Sequence, residues 1–236
     1  MARTIDNLSS EEDIYIYFIY QDGERDSLKN AHRAAFDQHS EFGTIGGIIT
    51  TDHGDIEILT DYVSGITNMS YKYNYIYEDN DTSVNLWYSP LITYAVRPSF
   101  LYEKDDRITD SLDDEALDTL IESVSTGYTA TDDRPIAIYV ETPKHRFYEG
   151  EVKQPPVTAE SLTHDEYACL SWLTVFTPPM VETYGRETLL SAPAYRIEEL
   201  DGGAIILVCH DKPLDWDTDC RAVADHIGLP LLQDLM

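Results

Sequence analysis

Seven consecutive residues, Ile14 to Tyr20, are all β-branched aliphatic or aromatic. On a strand, Ile14, Ile16 and Phe18 face one way and Tyr15, Tyr17 and Ile19 the other. Both faces are apolar, which suits an interior strand. Asp22-Gly23 then reads as a turn, and Asp26 or Ser27 can cap a helix running to about His39. Leu28, Ala31, Ala35 and Phe36 form its apolar stripe. The opening of the chain is therefore strand, turn, helix.

The pattern changes from Asp55 to Tyr102. After the glycine-rich loop Gly43 to Gly47, Tyr71, Tyr73, Tyr75 and Tyr77 alternate with Lys72, Asn74 and Ile76. Glu78 to Asp81 turns the chain, and alternation resumes from Ser83 to Tyr88, a hairpin signature. Leu91 to Val96 and Ser99 to Tyr102 add strands, with Pro98 marking an edge or a bulge. The middle of the chain reads as an antiparallel meander.

Ser111-Leu112-Asp113-Asp114-Glu115 opens a capped helix whose apolar spacing runs from Leu112 to about Ser125, with Gly127 as its stop. Arg134 to Glu141 reads as a strand, Pro143 to Pro156 as a loop, and Thr163 to Ala168 as a helical turn. Leu170 to Phe176 fits either strand or helix, and Pro178-Pro179 stops it. Pro193 to Glu199 and Ala204 to Cys209 make a hairpin across Asp201-Gly202-Gly203. Asp217 or Thr218 caps a closing helix to about Ile227, with Gly228 beyond it. This order predicts an α+β fold, with helices packed on a mostly antiparallel sheet. A chain of 236 residues fits one large domain or two small ones. One domain is the expectation, and residues 143–156 are the best place for an internal boundary.

Charge limits where such a fold is stable. Asp and Glu number 44 against 16 Lys and Arg, a net charge of −28. The acids recur along the whole chain, as in Asp105-Asp106, Asp113-Asp114-Glu115 and Asp132-Asp133, and only six residues are Lys. Such a surface repels itself in ordinary buffer. In molar salt the screening length falls to about 3 Å and the repulsion fades. Scattered carboxylates with scarce lysine thus resemble a haloarchaeal composition. An acidic mimic of DNA, or a binder of a basic partner, would concentrate its charge on one segment. No basic stripe exists to hold nucleic acid. The three cysteines do not make a disulfide framework. Met1 to Asp13 lacks the basic and apolar regions of a signal peptide. No apolar run reaches the 18 or so residues of a membrane helix. A cytoplasmic location is expected.

No constellation carries clear chemistry. Cys209, His210, Cys220 and His226 are the densest group of soft ligands, but adjacent residues of a strand point to opposite faces, so Cys209 and His210 do not suit one ion. Cys169 lies near His164 and Asp165, yet Ala168 and Leu170 beside it suggest packing. Gly43 to Gly47 lacks the Lys-Ser/Thr of a phosphate loop. Neither metal nor cofactor is expected, and no catalytic residue is assigned. The tyrosine row offers more. On a strand Tyr71, Tyr73, Tyr75 and Tyr77 share a face, and with Trp87 after the turn they are the candidate partner-binding residues. The alternative is that the rings cover the sheet under helices.

Ser171-Trp172-Leu173-Thr174, Ser191-Ala192-Pro193-Ala194 entering a strand, Glu199-Leu200-Asp201-Gly202-Gly203-Ala204, and His210-Asp211-Lys212-Pro213-Leu214-Asp215 before a short helix carry a family resemblance. From about Cys169 to Leu229 the chain resembles the C-terminal part of the immunity protein 52 family of polymorphic-toxin loci. The helix and strand from Asp110 to Glu141 also sit where that family has such a unit. The resemblance implies a non-enzymatic α+β protein that binds and neutralises a cognate protein toxin, with no catalytic residues to carry over. The alternatives are an enzyme of unrecognised class, or an accessory protein of a plasmid or virus.

The charge pattern makes a direct prediction. Chemical denaturation should show stability rising steeply from low salt to molar KCl. A midpoint unchanged over that range would contradict the reading of the composition.

Overall fold

A computed structural model describes residues 15–20, 25–36, 49–50, 56–57, 67–72, 76–79, 82–85, 92–97, 112, 114–141, 147–148, 151–152, 156–213 and 220–235. The strands are β1 Tyr15–Tyr20, β2 Ile49–Thr50, β3 Ile56–Glu57, β4 Thr67–Lys72, β5 Ile76–Asp79, β6 Thr82–Asn85 and β7 Ile92–Arg97. They continue with β8 Ala137–Glu141, β9 Phe147–Tyr148, β10 Glu151–Val152, β11 Leu173–Phe176, β12 Arg196–Glu199 and β13 Ile205–Val208. The helices are α1 Arg25–Phe36, α2 Asp114–Thr129, α3 Ala159–Leu162, α4 Pro178–Tyr184, α5 Arg186–Leu190 and α6 Cys220–Ile227.

A nine-stranded sheet runs in the order β12-β13-β11-β8-β1-β7-β4-β2-β3. Among the described residues only β2 against β4 is parallel in it. The α+β expectation with a mostly antiparallel sheet therefore holds. β1 is interior, as its two apolar faces require. It pairs with β7 through Phe18 opposite Tyr94, and with β8 through Phe18 opposite Ile138.

The register runs two rows of side chains across this half of the sheet. Phe18, Ile138, Val175, Ile206 and Glu198 share one face. Tyr17, Tyr139, Thr174, Leu207 and Ile197 share the other. Helices cover both. On the first face Phe18 meets α1 at His32 and α2 at Gly127. Further along that face Arg196 reaches Asp118 of α2. On the second face Phe176 meets Tyr184 of α4, with ring centroids 5.2 Å apart, and Glu199 pairs with Arg186 of α5. α6 packs against α5. Cover on both sides explains why β1, β8, β11 and β13 read as continuous apolar runs: Ile16, Phe18, Ile19, Ile138, Tyr139, Val175, Phe176, Ile206 and Leu207 are all fully buried. Each such side chain contributes about 1.5–3 kcal/mol relative to exposure.

Several expectations need correction. The middle is not a meander. β4 pairs directly with β7, and β5 with β6 forms a separate two-stranded hairpin. Alternation marks a segment as strand but does not choose its partner. Gly127 does not end its helix, since α2 runs on to Thr129. A Cβ at Gly127 would run into the Phe18 ring, so the glycine answers to a neighbour and not to a helix stop. Pro178-Pro179 does not merely stop β11. It opens α4, where the missing N–H is one that a helix start leaves unpaired anyway. The helical turn expected from Thr163 lies earlier, at α3. There Thr158 and Ser161 cap reciprocally: Ser161 N–H donates to Thr158 Oγ1 at 3.0 Å, and Thr158 N–H to Ser161 Oγ at 2.9 Å. The loop from Pro143 contains a small hairpin, β9 with β10. The turn between β12 and β13 is as expected, with Gly202 and Gly203 at φ 88° and 89°. The segments Gly43 to Gly47 and Ser99 to Tyr102 lie outside the described residues.

The Gly127 contact yields a prediction. Phe18 is fully buried and its ring is also held by His32, 4.9 Å away between centroids, so it has nowhere to retreat. Gly127→Ala gains about 1 kcal/mol of helix propensity but overpacks the core, which typically costs about 1–3 kcal/mol. We expect a net loss of stability in molar-salt denaturation. The double variant with Phe18→Leu should lose less than the sum of the two single changes, and strict additivity would count against the contact.

Candidate functional site

The tyrosine row is divided between sheets. Tyr71 lies on β4 opposite Thr93, in the large sheet, and Tyr77 lies on β5 opposite Val84, in the separate hairpin. Tyr73, Tyr75 and Trp87 lie outside the described residues.

The soft ligands do not converge. Cys209 is buried just past the end of β13, whereas the His210 ring lies against Trp172, 6.4 Å between centroids. His226 is exposed between α5 and α6. Its Nε2 is 3.1 Å from Thr188 O and 3.2 Å from Ser191 Oγ. A carbonyl can only accept, so Nε2 carries the proton and cannot serve Ser191 as a base. This contact ties α6 to α5. Near Cys169, His164 stays exposed and its Nδ1 bonds back to Glu160 O at 3.0 Å, while Cys169 is buried. Among the described residues no group of three or more His, Cys, Asp or Glu is placed to hold a metal ion.

The motifs of the C-terminal third meet in space and act as scaffold. Trp172 Nε1 donates to His210 O at 2.7 Å, and Cys209 N–H to Trp172 O at 2.9 Å. Ser171 Oγ donates to Val140 O at 2.6 Å, locking β11 to β8. Lys212 N–H donates to His210 Nδ1 at 3.1 Å, which puts the ring proton on Nε2. That Nε2 is buried without a hydrogen-bond partner among the described residues. Leu112 N–H donates to Asp211 O at 2.8 Å, so this turn also anchors the approach to α2.

A second buried polar pair lies under α1. Tyr20 Oη and His32 Nε2 are 2.6 Å apart, and Thr131 Oγ1 is 3.4 Å from the same hydroxyl. Burial pushes the Tyr20 hydroxyl well above its ordinary value and draws His32 down to about 3. Both groups are neutral and sealed from solvent, so the pair specifies packing and offers no route to a substrate.

The exposed chemistry gathers at the corner of α2 and β12. Buried Leu117, Leu120, Ile121 and Val124 turn one stripe of α2 inward, which leaves Asp114, Glu115, Asp118 and Glu122 outward. β12 is the edge strand next to that face, and Tyr195 immediately precedes it. Tyr195 is 50% exposed, one of three large apolar side chains that stand out among the described residues. Its hydroxyl is 3.5 Å from Asp114 Oδ1. Partial desolvation, then the carboxylates of Asp114 and Asp211, raise its pKa. Its backbone is fixed, since Tyr195 N–H donates to Cys209 O at 3.2 Å. Next to it Arg196 is held by Asp118 and by Glu198, with Nε 2.6 Å from Glu198 Oε1. The result is an anchored aromatic ring with a wall of carboxylates. In the sequence Tyr195 is one residue of the expected strand Pro193 to Glu199 and has no periodic signal of its own. Its place just before an edge strand, beside the acidic face of α2, gives it meaning.

Compared with family models, with curated proteins and with solved structures, the chain matches none. Among the described residues no helix is long and apolar enough to cross a membrane.

The buried histidine makes a pH prediction. Folding lowers its pKa from 6.5 to about 3, so below 6.5 the unfolded chain takes up a proton that the folded chain refuses. The His32 contribution is complete above 6.5 and is lost as pH falls toward 3. The slope is about 1.4 kcal/mol per pH unit. Urea unfolding of wild type and His32→Leu, both in molar KCl, should converge by roughly that amount per unit below pH 6. Parallel profiles would contradict it.

Proposed function

We propose that this chain is a non-enzymatic binding protein, an immunity-like inhibitor that neutralises an intracellular protein toxin in a high-salt cytoplasm. The observation that carries the reading is Tyr195, half exposed and backbone-anchored at the corner of α2 and β12. In molar salt, carboxylates alone attract a partner weakly, because screening acts within about 3 Å. An exposed ring on a fixed backbone still offers desolvation and shape, as interface anchors do. The carboxylates of Asp114 and Asp211 beside it favour a partner that brings cations and disfavour acidic ones. The C-terminal resemblance points the same way. Its motifs form the support of this corner, since His210-Asp211 anchors Leu112 and Cys209 anchors Tyr195.

The test is a search of the neighbouring genes for a multidomain toxin, followed by titration of the chain with that toxin's catalytic domain at molar KCl. Tyr195→Ala should weaken binding by about 2 kcal/mol, roughly 30-fold. It should change unfolding stability by less than about 1 kcal/mol, as an exposed site does. Asp114→Asn should weaken binding less than Tyr195→Ala. Unaltered affinity in Tyr195→Ala, or no binding by wild type, would overturn the proposal.

A further inference from the structure

β12 ends the large sheet, and its outer edge carries no strand among the described residues. The ladder decides which backbone groups that edge presents. Cys209 N–H donates to Trp172 O at 2.9 Å, so by alternation Ile205 and Leu207 also turn their N–H and C=O groups toward β11. Ile206 and Val208 then face β12, where they lie opposite Glu198 and Arg196. Leu200 N–H, donating to Ala204 O at 2.8 Å, continues the same alternation. Ile197 and Glu199 therefore point their N–H and C=O groups away from β13, out of the sheet. At the start of the strand the Tyr195 N–H instead turns inward to Cys209 O.

α2 and α5 wall this edge. Arg196 reaches Asp118 of α2, and Glu199 reaches Arg186 of α5. Both of these cations are thereby taken by carboxylates of the chain itself. Asp114 and Glu115 are exposed at the start of α2, and no cation among the described residues pairs with either. Asp114 Oδ1 lies 3.5 Å from the Tyr195 hydroxyl, next to β12. A strand added to β12 would exchange backbone bonds with Ile197 and Glu199 and lay every second side chain toward the acidic face of α2. A second copy of the chain, added edge to edge, would instead set one such acidic face beside another.

We propose that the outer edge of β12 takes up an extended segment of the protein partner as a tenth strand, and that this segment carries Lys or Arg at alternate positions. The proposal rests on the binding reading above and gives that partner its local chemistry. Ile197 and Glu199 supply the backbone bonds, which fix register and hold in molar salt. The carboxylates of α2 supply the preference for alternate cations at contact distance. Tyr195 caps the same edge as the apolar anchor.

The experiment follows amide exchange by NMR in 1 M KCl, with a blocked octapeptide of alternating Lys and Thr as the probe. In the free chain the Arg196 and Glu198 amides should be protected, and those of Ile197 and Glu199 should exchange fast at every chain concentration. At a peptide concentration about five times its Kd, the Ile197 and Glu199 amides should slow by about sixfold. The same octapeptide with Glu for Lys should leave them fast. Glu199→Pro removes an outward N–H and no ladder bond, so it should weaken the probe by about five- to tenfold while Arg196 and Glu198 stay protected. The proposal is overturned if Ile197 and Glu199 are already protected in the dilute free chain, since the chain then covers its own edge. Protection that rises with chain concentration would put a second copy there and overturn it as well. So would a probe that shifts the α2 resonances yet leaves both amides fast, equal protection by the Glu peptide, or no shift at about 10 mM probe. Wild type alone decides these outcomes, so they stand even if Glu199→Pro folds poorly. The protein partner separates this claim from the reading beneath it. Binding that depends on Tyr195 but leaves both amides fast removes the added strand alone, whereas the absence of any protein partner removes the reading itself.

Discussion

The contact between the Phe18 ring and the bare backbone at Gly127 sets how closely α2 lies on the sheet. β1 is the interior strand on which the described core is built, and Phe18 heads the row of side chains continuing through Ile138, Val175 and Ile206. With any side chain at position 127 the helix would have to lift from that row. The outward face of α2 would then move with it, taking Asp118 away from Arg196 and Asp114 away from Tyr195. The packing of one glycine thus governs a surface at the far edge of the sheet.

Much of this fold was legible in the sequence because burial leaves a periodic trace. The two apolar faces of Ile14 to Tyr20 identified an interior strand, the spacing from Leu117 to Val124 identified a helix, and Asp201-Gly202-Gly203 identified a hairpin turn. What escaped was information that resides in a partner. Gly127 looks like a helix stop until Phe18 is placed beneath it. Pro178-Pro179 looks like an end because a proline has the same missing N–H at either boundary. The pairing of β4 with β7 across an inserted hairpin leaves no mark in local alternation, since every strand of a meander alternates in the same way.

The candidate site was less legible for the same reason. Tyr71 and Tyr77 drew notice through periodicity, yet they stand on strands of two different sheets. Tyr195 has no sequence pattern and gains meaning from an edge strand, an adjacent acidic helix face and a backbone bond to Cys209. The polar residues that resemble a family motif, Ser171, Trp172 and His210, are spent on backbone bonds. They hold the frame in place, and the surface they position is where binding is proposed. The net charge of −28 is spread along the chain, so it singles out no one partner-binding segment.

The central claim is that the chain acts through the corner of α2 and β12 while its sheet stays closed. Amide hydrogen exchange in molar KCl, with and without the proposed protein partner, tests it most directly. The account predicts slowed exchange at residues 195–199 and in the first turn of α2 when the partner is bound, with β1 and β8 slow and unchanged in both states. Protection confined to other elements, or opening of β1 on binding, would contradict it.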